Sequence, residues 1–268
     1  MYLAAATEIA REAGALLARY FERRVAVEYK GAFDVVTEAD RASEALIVDR
    51  LSAKFPGHTI IAEEGTGVDR SSEYIWYVDP LDGTTNFAHS FPVFAVTMAL
   101  EHSGQVVAGV VYDPLRDELF SAEKGRGAYL NNRRLHVSRI DQFCDSLLAT
   151  GFPSRKRHDD VNVYFFHQTA MLTHGVRRGG SAALDLSYVA AGRLDGFWEF
   201  GLNPWDMAAG LLLILEAGGC YTDMRGAAHL LRGPHVAASN GLIHNDLIAL
   251  FADVFANRIR IPLPQISR

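Results

Sequence analysis

The sequence predicts an α+β protein built as layers in two abutting halves. Segments of helical and strand periodicity alternate towards both ends of the chain, whereas consecutive strand-like segments separated by turn residues occupy its middle. With 268 residues, of which 49% are hydrophobic and 22% charged, the chain can bury a sizeable core. We place the boundary within residues 137–145, which gives predicted domains 1–143 and 144–268.

The first half is predicted to hold two helices and most of the strands. Apolar residues recur at helical spacing from Leu3 to Phe21, and Thr37 with Asp40 fits the N-cap pattern of a helix ending near Lys54. The predicted strands are 25–30, 59–62, 74–78, 93–101, 105–112, 118–123 and 128–130. Strand 74–78 is apolar and stops at Asp-Pro-Leu-Asp-Gly, where proline and glycine favour a sharp bend.

Strands and helices alternate in the second half. The predicted strands are 147–150, 195–200, 220–221 and 236–238, and the predicted helices are 161–173, 181–191, 205–217 and 243–255. Helix 205–217 is apolar nearly all round, which predicts burial on most of its faces.

Composition excludes several classes of function. A formal net charge of −6 argues against general nucleic-acid binding. The two cysteines form no metal-ligand pattern, which favours a reducing compartment. The N-terminus lacks the pattern of a signal peptide, and the longest aliphatic run, Leu211–Leu215, is too short to cross a bilayer. We therefore expect a cytoplasmic protein without membrane association.

Acidic residues stand at breaks in the chain: Asp40 near a helix start, Glu63 after a strand, Asp79 and Asp82 around the central bend, and Asp206 at the start of the apolar helix. Each has an ordinary alternative explanation, as a helix cap, an exposed turn or an acid favoured at a helix N-terminus. However, Asp79 and Asp206 adjoin segments too apolar to be peripheral. Carboxylates that close to a core have raised pKa values or need cations, and all-oxygen donors suit Mg²⁺.

The residues after the central bend point to an anion. Gly83, Thr84 and Thr85 can open a helix, which presents free backbone N–H groups and a hydroxyl. Acids beside an anion site require a cation between them. The stretch therefore predicts metal-dependent phosphate chemistry.

Four motifs resemble those of the inositol monophosphatase family. Asp79–Phe87 is similar to its DP(I/L)DGTTNF signature, Asp34–Asp40 to its DxVTxxD segment, and Ala62–Glu64 to its GEE element, with alanine in place of glycine. Trp205–Gly210 followed by Glu216–Gly219 resembles its WDxAAG…EAGG signature. The motifs follow in family order over nearly the whole chain. The resemblance implies the layered αβαβα sandwich of the inositol monophosphatase and fructose-1,6-bisphosphatase type, a homodimer and inhibition by Li⁺.

The resemblance also implies a set of metal ligands. Glu63, Asp79 and the backbone carbonyl of Leu81 would hold one Mg²⁺. Asp79, Asp82 and Asp206 would hold a second, and Glu63 would share a third, weaker site. The expected cofactor is therefore two or three Mg²⁺ ions per active site.

The catalytic candidates are Glu63, Thr84 and Asp40, and the hypothesis is hydrolysis without a phosphoenzyme. One Mg²⁺ lowers the pKa of a water that Thr84, oriented by Asp40, positions or deprotonates. The second Mg²⁺ stabilises the leaving alkoxide. Thr84 as the nucleophile is the alternative, but no neighbouring histidine is there to activate it.

Substrate contacts come from several segments. The substrate-binding candidates are Asp82, Gly83, Thr84, Ser181, Ala182 and Glu199. The family resemblance gives Glu199 the role of bonding substrate hydroxyls and places Ser181 and Ala182 in the same pocket. The ordinary alternatives are a polar strand end for Glu199 and a helix cap for Ser181. Lys30 is a candidate for the phosphate, whereas Asp185 and Arg193 receive no assignment.

The expected partner is a small-molecule sugar or polyol phosphate, with inositol 1-phosphate as the predicted substrate. Relatives with the same motifs act on fructose 1,6-bisphosphate, histidinol phosphate or adenosine 3′,5′-bisphosphate, so these remain alternatives. Glu199, and the lack of a basic cluster for a second phosphate, favour a monophosphate. The non-enzymatic alternative is a regulatory binding protein associated with transcription or RNA.

Overall fold

The computed structural model describes residues 1–23, 27–29, 35–152, 160–229, 231–233 and 235–263. Lys30, Asp34 and part of the predicted strand 25–30 lie outside these ranges. The helices are α1 (Tyr2–Arg23), α2 (Glu38–Lys54), α3 (Thr84–Ala88), α4 (Asn162–Leu172), α5 (Ala182–Ala190), α6 (Pro204–Glu216) and α7 (His244–Phe255).

The strands form a short hairpin and two larger sheets. They are β1 (Val27–Tyr29), β2 (Val35–Thr37), β3 (Thr59–Ala62), β4 (Tyr74–Asp82), β5 (Ala95–His102), β6 (Gln105–Asp113), β7 (Glu118–Glu123), β8 (Gly127–Leu130), β9 (Arg133–Arg134), β10 (Leu147–Thr150), β11 (Gly175–Arg177), β12 (Gly196–Phe200), β13 (Cys220–Thr222) and β14 (His235–Ser239).

The larger sheet has seven strands in chain order, β3 to β9. Strands β3 and β4 are parallel, and every later neighbour is antiparallel. The second sheet has the order β11-β10-β12-β14-β13, with β10 parallel to both of its neighbours. The parallel pairs bring the ends of β3 and β4, and of β10 and β12, to common edges, from which the loops of the site emerge.

Five layers stack as α, β, α, β, α. One hydrophobic cluster joins α1 and α2 to the seven-stranded sheet, a second joins that sheet through α5 and α6 to the other sheet, and a third lies beneath α4 and α7. Glycines permit the closest approaches in the middle layer: a Cβ at Gly109 would lie 2.9 Å from the Cα of Ala209, and one at Gly210 would lie 2.5 Å from the Cβ of Leu186. The predicted layered α+β fold is confirmed.

Most predicted elements are present within one or two residues of the expected bounds, but the central strand differs. Strand β4 does not stop at Val78; it continues to Asp82, with a shift of register against β5 between Asp79 and Asp82. The missing N–H of Pro80 falls inside this irregularity, where no ladder hydrogen bond is lost. The short strands β2, β9 and β11 were not predicted from the sequence.

The seven-stranded sheet ends at Arg134 and the second sheet begins at Leu147. The predicted boundary falls between them, and the division into two domains stays a prediction. In the described part of the chain, no helix is apolar over a length sufficient to cross a bilayer.

Candidate active site

A cavity of about 1100 Å³ lies where the ends of β3, β4, β10 and β12 approach the N-termini of α3, α5 and α6. Ten of the sequence-predicted site residues line it: Glu63, Asp79, Leu81, Asp82, Gly83, Thr84, Ser181, Ala182, Glu199 and Asp206. Asp40 is fully buried behind Thr84. Residues up to 143 positions apart in the sequence are thus brought to one place.

Asp79 is held by the bend that follows it. Its Oδ1 accepts a hydrogen bond of 2.9 Å from the backbone N–H of Leu81, and the residue is only 2% exposed. This local turn fixes one carboxylate oxygen and holds the Asp79 carboxyl close to that of Glu63.

Asp82 is tied to the N-terminus of α5. Its Oδ2 accepts hydrogen bonds of 2.6 Å from the hydroxyl of Ser181 and 2.8 Å from the N–H of Ala183. Ser181 is also the N-cap of α5. The cap predicted as an ordinary alternative is therefore present, and the same hydroxyl positions a carboxylate of the cavity.

Asp206 belongs to a capping box at the start of α6. Its Oδ2 accepts a hydrogen bond of 2.7 Å from the backbone N–H of Asn203. Like Asp79 and Asp82, it has one oxygen held by the protein. The ordinary capping role is correct, and it leaves Oδ1 available to the cavity.

Glu63 lies on a turn that a buried acid on α2 organises. The carboxylate of Glu44 accepts hydrogen bonds from the N–H of Glu64 at 2.7 Å and from both the N–H and the hydroxyl of Thr66 at 2.8 Å. The hydroxyl of Ser43, the residue before Glu44, donates to the carbonyl of Pro80 at 2.9 Å. Helix α2 therefore fixes both loops that carry the acids.

Asp40 has two roles at once. Its Oδ2 accepts hydrogen bonds from the N–H and the hydroxyl of Thr37, at 2.8 and 2.6 Å, which completes a capping box. Its Oδ1 lies 3.0 Å from the hydroxyl of Thr84, which is also 3.0 Å from the carbonyl of Leu81. Since the hydroxyl has one proton, it donates to one of these acceptors at a time.

Gly83 makes the turn into α3 possible. Its φ of +99° lies in the left-handed region, and a Cβ there would meet the carbonyl of Val93 at 2.9 Å. The next residues open α3, whose first N–H groups have no partner within the helix. A helix does begin within Gly83–Thr85, as the sequence indicates.

The carboxyl groups strongly affect one another. Desolvation, together with the neighbouring acids, raises the pKa of Glu63 to about 7, although Glu63 is the most exposed of the four. Desolvation likewise raises the pKa of Asp82 to about 6 and the pKa values of Asp79 and Asp206 well above their usual range. Negative charge at this place is costly unless a cation accompanies it.

The donor set fits Mg²⁺, which prefers carboxylate and carbonyl oxygens. Three carboxylates have one oxygen anchored by a protein donor and a second oxygen facing the cavity. As they stand, no three His, Cys, Asp or Glu side chains of the described residues form a group that could hold a metal ion. Binding therefore requires the unanchored oxygens of Glu63, Asp79, Asp82 and Asp206 to turn towards a shared cation.

Glu199 lies across the cavity, beside the end of β10. Its carboxylate occupies the space that a side chain at Gly151 would fill, so any Cβ there would collide with it. Desolvation raises the pKa of Glu199 well above its usual range, and the charges of Asp185 and Asp206 raise it further.

Comparison with known proteins agrees with these motifs. A model of the inositol monophosphatase family matches residues 1–256. The chain is a member of this family. It is 49% identical over 243 residues to a Pseudomonas aeruginosa protein named Nus factor SuhB. The matched region covers 88% of this chain and 90% of the relative.

Two further relatives extend this comparison. A Mesorhizobium japonicum protein named inositol-1-monophosphatase is 47% identical over 246 residues, covering 90% of this chain and 92% of the relative. The crystal structure of the extragenic suppressor protein suhB from Bartonella henselae superposes with a TM-score of 0.89 at 42% identity, covering 93% of this chain and 98% of that one. The layered fold is thus that of solved members of the inositol monophosphatase family.

Sequence reasoning missed the residues that hold the acids in place. Ser43 and Glu44 follow Asp40 by three and four positions, so all three share one face of α2, and this spacing was available as a signal. Asn86 also contributes: its amide donates to the carbonyls of Val93 and Gly179 at 2.8 and 2.9 Å and joins α3 to the segment before α5. No local pattern marks that contact.

Proposed function

We propose that the protein is a Mg²⁺-dependent phosphomonoesterase that converts inositol 1-phosphate to inositol and phosphate. The observation that carries this proposal is the arrival of four acids from separate elements in one cavity, beside the free N–H groups at the start of α3. Such acids repel one another and an anion alike unless a divalent cation binds among them.

Glu63, Asp79, the carbonyl of Leu81, Asp82 and Asp206 would hold the Mg²⁺ ions, two or three per site. When bound, Mg²⁺ polarises the phosphate, lowers the pKa of water and neutralises charge on the leaving oxygen. The anchors on Asp79, Asp82 and Asp206 hold the acids in place before the metal arrives, which reduces the entropy lost on binding.

Thr84 and Asp40 form the part of the site that orients water. When the hydroxyl of Thr84 donates to Asp40, its oxygen lone pairs are left to accept a hydrogen bond from a water in the cavity. Burial and two hydrogen bonds from Thr37 hold the Asp40 carboxyl in one orientation. The pair thus fixes the direction of attack, while the N–H groups of Gly83 and Thr84 bind phosphate oxygens.

Two observations support inositol 1-phosphate as the substrate. Glu199 faces the cavity with acceptor oxygens suited to hydroxyl groups, and a relative with 47% identity is named inositol-1-monophosphatase. Among the described residues that line the cavity, the basic ones are Arg178, Arg225 and His235. Two of them already have partners: Arg225 lies over the ring of Phe255, and Nδ1 of His235 accepts a hydrogen bond from the N–H of Gly201. This favours one phosphate over two.

The test is phosphate release from a panel of esters with Mg²⁺, without Mg²⁺ and after chelation. We expect turnover of inositol 1-phosphate only with the metal, restored when Mg²⁺ is added back. Faster turnover of fructose 1,6-bisphosphate, histidinol phosphate or adenosine 3′,5′-bisphosphate would contradict the choice of inositol 1-phosphate as the substrate. Turnover that survives chelation would overturn the metal assignment. The same assay with Li⁺, and the mass of the protein in solution, test the proposed lithium inhibition and homodimer.

A second candidate function is regulatory binding associated with transcription or RNA, in addition to catalysis. It is favoured by the name Nus factor SuhB, carried by a relative that is 49% identical. A variant without turnover, Asp79→Asn, separates the two roles in cells that lack the wild-type protein. A phenotype restored by the inactive variant supports the binding role, and one restored only by the active protein contradicts it.

A further inference from the structure

Asp185 is a buried carboxylate to which the proposed function gives no role. It lies in the first turn of α5, is 5% exposed and lines the same cavity as Glu199. An acid is favoured electrostatically at a helix N-terminus, but that preference gains little from burying the acid. A buried carboxylate normally has hydrogen-bond donors around it.

Asp185 and Glu199 differ from this pattern as far as the described residues go. Within the residues that the structure describes, neither carboxylate accepts a hydrogen bond or forms a close ion pair. Asp82, by comparison, accepts from Ser181 and Ala183. The acceptor capacity of Asp185 and Glu199 therefore faces the cavity, where a ligand or water can use it.

Both carboxylates sit against a glycine. A Cβ at Gly179 would lie 2.7 Å from Oδ1 of Asp185, and one at Gly151 would collide with the Glu199 carboxylate. Each carboxylate thus occupies space that is left by a glycine, and a larger residue at either glycine position would displace it. Arg178 lies at the cavity wall and attracts both carboxylates, which partly offsets the charge of the pair.

We propose that Asp185 is a specificity-determining residue that, together with Glu199, accepts hydrogen bonds from neighbouring hydroxyl groups of a polyol phosphate. The inference deepens the proposed function and rests on it. Unpartnered carboxylate oxygens suit hydroxyl donors, and two of them on one wall suit a vicinal diol. The positive charge of Arg178 makes this side of the cavity less favourable for a cationic amine than two carboxylates alone would be.

The experiment compares Asp185→Ala and Asp185→Asn with the wild type on two esters: inositol 1-phosphate, and phenyl phosphate, which has no hydroxyl groups. For the alanine variant we expect kcat/KM on the polyol ester to fall roughly ten- to a hundredfold, mainly through KM, because a charge-assisted hydrogen bond is lost. Phenyl phosphate turnover should change less than about twofold. Asparagine keeps one acceptor oxygen and should restore part of the loss.

Ser187→Ala is the matched control on the same helix, since the Ser187 hydroxyl is buried and donates to the carbonyl of Ala183. This variant should leave kcat/KM unchanged on both esters. The melting temperature of Asp185→Ala should equal or exceed that of the wild type, because an unpaired buried charge is removed. If Asp185 instead had a structural role, the melting temperature of Asp185→Ala would be lower than that of the wild type.

Equal losses on both esters, or no loss on the polyol ester, would overturn the inference while leaving phosphatase activity intact. If the wild type hydrolysed neither ester, the proposed function would fail. Calorimetric titration of unconsumed inositol 1-phosphate with Mg²⁺ would then decide the inference: weaker binding to Asp185→Ala supports it, and equal or absent binding overturns it.

Discussion

The cavity holds two groups of carboxylates that are all desolvated but are differently held. Asp79, Asp82 and Asp206 each have one oxygen fixed by a backbone or hydroxyl donor. Asp185 and Glu199 have no such donor among the described residues. Burial raises the pKa of every member of both groups.

The difference shows that burial alone does not reveal the role of an acid. Anchoring one oxygen limits the movement of the carboxylate, so less reorganisation is needed to bind a small cation with strict geometry. Leaving both oxygens free preserves acceptor capacity for the hydroxyl groups of a ligand. We therefore propose that the anchored group binds metal and the unanchored pair binds substrate, and variants can test the two separately.

The largest effect is expected at the anchored group. Asp79→Asn removes the charge of the acid that would bridge both metal sites, so kcat for inositol 1-phosphate should fall by about a thousandfold or more. Phosphate release with saturating Mg²⁺ measures this. Asp49→Asn, on the exposed face of α2, is the control. The variant should remain folded, because a repulsive buried charge is lost. Near-normal turnover would remove Asp79 from the metal site.

Variants of Thr84 test the proposed role of the Thr84–Asp40 pair in orienting water. Thr84→Ala loses the hydroxyl bonded to Asp40 and should lower kcat about a hundred- to a thousandfold on every ester, with or without hydroxyl groups. Thr84→Ser retains the hydroxyl and should recover most of the activity. If serine were as poor as alanine, the hydroxyl would not be the functional group.

Gly151 tests the unanchored pair through its neighbour. Gly151→Ala would displace the Glu199 carboxylate, and a misplacement of about 1 Å can cost up to a hundredfold in rate. We expect kcat/KM for inositol 1-phosphate to fall about ten- to a hundredfold, with phenyl phosphate little changed. Gly57→Ala is the matched control, since a Cβ at Gly57 meets nothing within 4 Å. An equal loss on phenyl phosphate would contradict the division into two groups.

Glu44 tests whether the anchoring extends behind the metal group. Glu44→Ala leaves the amides of Glu64 and Thr66 without their acceptor, which should lower the free energy of unfolding by about 1–3 kcal/mol. The turn that carries Glu63 loosens, so the Mg²⁺ concentration for half-maximal activity should rise severalfold. Denaturant unfolding and Mg²⁺ titration measure the two effects. An unchanged Mg²⁺ requirement would show that the role is purely structural.

The smallest effect is expected at a titrating group outside the cavity, which serves as a reference. Nδ1 of His58 accepts from the indole of Trp76 at 3.1 Å, and the ring stacks on Tyr74. Desolvation, together with the charge of His102, lowers the pKa of His58. The unfolded chain then binds the proton more readily, so stability falls as the pH drops below about 6.5.

His58→Gln keeps an acceptor for the indole but does not titrate. It should reduce the loss of stability between about pH 6.5 and 5, measured by denaturant unfolding at each pH. A pH dependence identical to that of the wild type would assign the change to other groups and leave His58 without a role in it.

The sequence by itself determined most helices and strands and the identities of the candidate ligands. Periodicity, caps such as Thr37 and Ser181, and turn residues act over a few positions, so a single chain displays them. Asp79 and Asp206 could be singled out because each adjoins a segment too apolar to be exposed, whereas the roles of Glu63, Asp82 and Glu199 came from the family motifs.

Only the tertiary structure decided how those acids are held and what the cavity offers beyond them. The hydroxyl of Ser181 meets Asp82 across 99 positions in the sequence, and the amide of Asn86 meets Gly179 across 93. Strand β4 runs through Pro80 because its neighbour β5 accommodates the bulge there. Asp185 faces the cavity because α5 is fixed between two sheets. Such contacts depend on packing between distant segments, and no local pattern encodes them.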